Sequence, residues 1–163
     1  MSKFKELNTY VNTIAQMICN NQNLCKLLYF NTKDALGEDD LEDPAELLIN
    51  KNILFHNSVP SENDKAKSVL SIVLNDFEND GSIYLRKNVI TFNILIHNDL
   101  WLLENGEFRV FKIMEELDTL FNKVHNQNDL SIVSKLTFRN ANHLWANYKY
   151  SGYCMNYGIW NFN

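Results

Sequence analysis

Hydrophobic positions along this chain follow two periods. Over residues 3–19, KFKELNTYVNTIAQMIC, apolar side chains recur three and four apart at Phe4, Leu7, Tyr10 or Val11, Ile14, Met17 and Ile18. That spacing predicts an amphipathic helix. Asn20–Asn23 breaks the pattern, and LCKLLYF (Leu24–Phe30) predicts a short second helix apolar enough to be fully buried. The same period returns over Gly106–Val124. Val110, Ile113, Met114, Leu117, Leu120, Phe121 and Val124 share one face there, opposite Lys112, Glu115, Glu116, Thr119, Asn122 and Lys123.

Elsewhere the period is two. Ser68–Phe77 carries Val69, Leu70, Ile72, Val73 and Leu74 with almost no polar face, which predicts a central strand. Asp80-Gly81 is a hairpin signal. The return strand, Ile83–Ile96, sets Ile90, Phe92, Ile94 and Ile96 against Val89, Thr91, Asn93 and Leu95. After the helix, Ser131–Arg139 and the stretch from His143 to Asn163 read as extended. Tyr153, Met155, Tyr157 and Ile159 fall on one face, Cys154, Asn156, Trp160 and Phe162 on the other, and Ser151-Gly152 is expected to form a bend or bulge.

The connection between the helices and the first strand is polar. It contains a helix start with Asp43 as N-cap, Pro44 at the first helical position and Glu46 at the third, predicting a helix over Pro44–Asn50. NILFHNSVP fits a short extended segment, and Ser61–Lys67 a loop. The pattern implies one α+β domain over residues 1–163: N-terminal helices in 1–30, an acidic connection in 31–67, and a mainly antiparallel sheet in 68–163. That sheet contains a long β-hairpin and is packed by the central helix of 106–124.

Composition adds limits. Of 163 residues, 45% are hydrophobic and 21% charged, as in an ordinary globular chain. No apolar run approaches the ~18–20 residues of a membrane span. The first residues, MSKFKELNTYV, lack the apolar centre of a secretion signal, so a cytosolic or host-cytoplasmic origin is expected. Net charge is −5, yet seven acids lie between Asp34 and Glu46 with no base among them. The rest of the chain, with thirteen acids against fifteen bases, is close to neutral. No basic stripe marks a non-specific nucleic-acid surface. Asparagine, at 25 residues, is very abundant and suits turns, caps and amide ladders.

Candidate chemistry is sparse. Cys19, Cys25 and Cys154 are odd in number and scattered, and no histidine (His56, His97, His125, His143) stands at a paired ligand spacing, so neither a disulfide framework nor a metal centre is expected. No cofactor motif occurs, and with five glycines a phosphate-cradling loop is hard to build. Glu115, Glu116 and Asp118 diverge around their helix and read as a solvated face. Cys154 with His143 or His97 would make a thiol nucleophile and base only with an orienting third group, and none is evident.

Two elements carry a resemblance. One is the helix GEFRVFKIMEELDTLFN with Arg109, Ile113, Leu117 and Leu120; the other is Y-x-G-Y-x-x-x-Y at Tyr150, Gly152, Tyr153 and Tyr157. With the N-terminal helix and long hairpin, they resemble the tail terminator (tail completion) proteins of tailed bacteriophages, over about the last 100 residues. The resemblance implies a structural virion protein of the neck with no reaction and no cofactor. Its subunits would form a ring, usually a hexamer, that caps the tail tube and joins it to head connector proteins, with DNA passing through unread and no membrane involved. A head-closure, connector or tail tube ring subunit is the near alternative. A cytosolic accessory enzyme or regulator is the alternative of another class.

Geometry then suggests contact regions. A 14-residue strand spans about 45 Å at ~3.3 Å per residue, whereas a domain of this size has a radius of gyration of about 15 Å. The hairpin, with Asp80, Gly81, Tyr84 and Arg86, and the aromatic C-terminal segment, with Trp145, Tyr148, Tyr153, Tyr157 and Trp160, are therefore the expected subunit contacts. The acidic residues Glu38, Asp39, Asp40, Glu42 and Asp43 are expected on a loop facing the ring's lumen or a partner ring.

Overall fold

Two long strands, β2 (Ser68–Asn79) and β3 (Arg86–His97), form the hairpin at the centre of the molecule. In this computed structural model, which describes residues 7–79, 86–122 and 136–160, five strands make one sheet in the order β1-β2-β3-β5-β4. β1 (Ile53–Leu54) pairs parallel with β2; β4 (Leu136–Trp145) and β5 (Tyr150–Trp160) complete the antiparallel part. The chain is thus a single α+β domain with a mostly antiparallel sheet, as its patterning predicts.

Four helices lie on one face. They are α1 (Leu7–Cys19), α2 (Gln22–Tyr29), α3 (Pro44–Leu48) and α4 (Arg109–Phe121). α4 lies on β3 and β5, α2 on β2 and α4, and α1 packs over the other helices. Val110, Ile113, Leu117 and Phe121 are fully buried against Ile90, Phe92, Ile94 and Ile96, the face assigned to each by its period. Phe92 stacks on Phe121 at 5.1 Å between ring centres. Burying such side chains contributes ~1.5–3 kcal/mol each before entropy.

Caps fix the helix starts. The Asp43 carboxylate accepts from the Glu46 N–H at 3.0 Å, with Pro44 in the first turn, as the sequence predicts. The Asn21 side chain does the same for α2 through the Leu24 N–H. α4 has no side-chain cap; its first residue, Arg109, serves another purpose. The guanidinium is fully buried and donates to the carbonyls of Leu100, Leu27 and Phe30 at 2.9, 2.7 and 2.9 Å, and also to Thr32. Three of these four carbonyls lie at or just beyond the C-terminal end of α2, where the helix dipole favours a cation. Burial lowers the Arg109 pKa to about 10, which leaves it charged at neutral pH.

Three expectations need correction. Ser151-Gly152 is neither bend nor bulge: both residues lie inside β5, and the turn comes earlier, between Trp145 and Tyr150. A Cβ at Gly152 would stand 1.9 Å from the Ile94 carbonyl oxygen, so the glycine permits a close strand approach. β2 is not central along its length, because β1 covers only Leu70 and Ser71. Finally, the long return strand β3 offers no open edge among the described residues. It pairs with β2 from Arg86 to Ile96 and with β5 from Lys87 to His97. Among the described residues the longer free edge belongs to β4.

Candidate assembly interface

The face of the sheet opposite the helices carries a row of amide and hydroxyl side chains. Asn75 on β2 donates to the Thr91 hydroxyl at 3.0 Å, Thr91 donates to Asn156 on β5 at 2.7 Å, and Asn156 donates to Asn140 on β4 at 2.7 Å. Each link crosses one strand, so the row ties four strands together where no helix covers them. Arg139 lies beside this row, across Gly158, where a Cβ would meet its Nε at 2.5 Å. The abundance of asparagine anticipated ladders of this kind, though not their place.

At one end of this face, residues 57–65 fasten to the β4–β5 turn. Asn147 accepts from the Lys149 and Tyr150 N–H groups at 3.0 Å each and donates to the Pro60 carbonyl at 3.0 Å. The Tyr150 hydroxyl donates to the Lys65 carbonyl. Beside the turn, Val59, Leu95, Leu144 and Trp145 line a cavity of about 260 Å³. Trp145 is 64% exposed and Tyr148 84%, their rings edge to face.

On the helix side, β4 borders a second apolar region. Phe111, Met114, Phe138 and Met155 line a hollow of about 370 Å³ between α4 and the edge strand. Phe108 and Phe111 are each about half exposed, and Phe111 continues through Tyr153 to His143 in ring contacts of 5.4 and 5.5 Å. Tyr153 is half-buried. Tyr157, expected at a subunit contact, is instead a core residue: it is fully buried and its hydroxyl donates to Asp118 at 2.8 Å. Burial and the carboxylate together raise its pKa, keeping the hydroxyl a donor. Asp80, Gly81 and Tyr84 lie outside the described residues, and Arg86 and Trp160 are described only as strand ends.

The acidic stretch is an ordered loop. Gln22 holds it from both sides, donating to the Leu41 carbonyl and accepting from its N–H, each at 3.0 Å. Asp40 pairs with Lys26 at 2.7 Å, Glu38 accepts from Thr32, and Asp43 is spent as a cap. Asp39, Asp40, Glu42 and Asp43 are exposed and Glu38 is half-buried.

The candidate catalytic groups are not brought together. Cys154 lies on the amide-lined face, where Asn156 donates to its sulfur at 3.5 Å. His143 contacts Tyr153, on the opposite face. His97 is occupied by Tyr150 and Asp99. Cys19 and Cys25 are buried thiols, and burial pushes Cys25 up to about 12. Among the described residues, no three His, Cys, Asp or Glu side chains cluster as metal ligands. The helix carboxylates are more than a solvated face: Glu116 accepts from Asn21 and Asn23, which joins α4 to the start of α2, while Asp118 holds Tyr157. No helix among the described residues is long and apolar enough to cross a membrane.

These features define an α+β domain whose outer strand β4 has no partner beyond β5 among the described residues, flanked by exposed aromatic side chains on both faces. The chain belongs to the YomW family, whose model matches residues 21–159. No curated protein matches the sequence.

Proposed function

We propose that this chain is a structural assembly subunit of a phage virion, a tail terminator forming a ring that caps the tail tube and meets the head connector. The observation that carries this reading is the β4 edge. Ten residues of strand, mostly exposed, have a partner on one side only among the described residues. Such an edge offers backbone donors and acceptors to a neighbour. Phe138 and Trp145 on the edge strand and Tyr148 in the adjoining turn add the large, rigid side chains that anchor interfaces. The resemblance of the Arg109 helix and the Tyr150–Tyr157 element to tail terminators supplies the particular ring. The ordered acidic loop suits a lumen that repels DNA phosphates, or a basic surface on an adjoining ring.

Purified protein mixed with cognate tail tubes, imaged by electron microscopy, tests the reading. The expected result is a ring, sixfold by the resemblance, on the head-proximal end of each tube. A ring found instead between connector and tail cap would reassign the chain to head closure. Failure to bind tubes or connectors at any concentration would contradict the proposal.

A further inference from the structure

Resting on that reading, we infer that the ring closes by strand addition, with the free edge of β4 in one copy pairing antiparallel with the free outer half of β2 in the next. Among the described residues the sheet has two open edges, and they lie on opposite sides. β4 is open along Leu136–Trp145. Beyond Ser71, no strand among the described residues covers β2. The direction follows from topology. β2 and β5 both run antiparallel to β3, and β4 runs antiparallel to β5, so β4 opposes β2. Two copies set side by side in the same orientation therefore meet as an antiparallel pair. That is a head-to-tail interface, the kind that generates a ring when the rotation closes.

The two edges also match in level over part of their length, and they carry opposite charges. Register through β3 and β5 places Leu74 of β2 level with Phe138 of β4, so Ile72–Asn75 lie level with Thr137–Ala141, and Glu78 lies just beyond the level of Leu136. Each edge breaks register once, β4 between Phe138 and Asn140 at the level of Leu74, and β2 further along, between Asn75 and Glu78. Both carry an exposed phenylalanine, Phe77 at 44% and Phe138 at 41%. Asp76 and Glu78 are exposed on the β2 edge, and Arg139 is exposed on β4 with its guanidinium over Gly158, none of them ion-paired within the described residues. Joining β4 to β2 brings opposite charges together. Twofold pairing of β4 with β4, or β2 with β2, would bring like charges together, which is destabilising across strands.

Charge reversal tests this. Arg139→Glu and Glu78→Arg are made singly and together, with folding checked by circular dichroism. Arg139→Gln and Glu78→Gln serve as milder versions should a reversal unfold the chain. Ring formation on tail tubes is the readout. Each single reversal is expected to reduce the ring fraction at least tenfold, and the double variant to recover most of it. Rings that form equally well in both single variants, or a double variant no better than either, would overturn the edge pairing while leaving the ring itself standing. Loss in Arg139→Glu alone, with Glu78→Arg unaffected, would mean that β4 meets something other than β2, and would also overturn it. Wild-type chains that never form rings would overturn both this inference and the proposed function.

Discussion

The two faces of this sheet are made by alternate residues of the same strands, yet they hold together by different means. On the helix side, Phe92, Ile94, Met155 and Tyr157 pack against α4, with Phe92 and Phe121 stacked. On the other side, Thr91 and Asn156, each adjacent in sequence to one of those core residues, join a hydrogen-bonded row. The covered face gains from burial and close packing. The other face also buries Val69, Val89 and Leu95, and adds hydrogen bonds between side chains of neighbouring strands, each contributing about 1 kcal/mol. A surface of this second kind remains polar and specific while its edge stays free to recruit another strand.

The contrast predicts unequal responses to substitution. Leu117→Asp places an unpaired charge in the fully buried layer under α4. It should cost roughly 4 kcal/mol or more, seen as loss of cooperative thermal unfolding. Arg109→Met comes next. It keeps the apolar stem but strips donors from the carbonyls of Leu27, Phe30, Thr32 and Leu100. A loss of about 3 kcal/mol is expected in urea titration, with α2 the first element to lose hydrogen-exchange protection. The smallest effect belongs to the open face. Asn156→Ala removes the link between Thr91 and Asn140. It should cost about 1 kcal/mol. An open-face loss as large as that of Arg109→Met would erase the distinction between the faces.

Much of the covered face was legible because burial leaves a period. The apolar stripe of α4 and the Ile90–Ile96 alternation both land on the core, and the Asp43 cap forms as its spacing implies. The edge was harder to read. LTFRNANHLW is exposed at most positions, so it has no alternation to mark it as a strand, and the predicted segment Ser131–Arg139 overlaps β4 only at its start. Periodicity assigns a residue to a face but not a strand to its neighbours, which is why β3 was expected at an edge. Arg109 escaped for a related reason: a charged residue at a helix start reads as surface. Its one signal was a cation where the helix dipole disfavours it. Gly152 is ambiguous by nature, since a glycine within a strand marks either a bend or a close backbone approach.

The central claim is that the chain assembles through the β4 edge. Hydrogen exchange of the β4 amides, Leu136–Trp145, compared between the free subunit and the ring assembled on tail tubes, tests it most directly. The free subunit should exchange its outward-facing β4 amides quickly, and assembly should slow them at least tenfold, together with those of Ile72–Asn79. Rings that form while β4 exchanges as fast as in the free subunit would contradict the account.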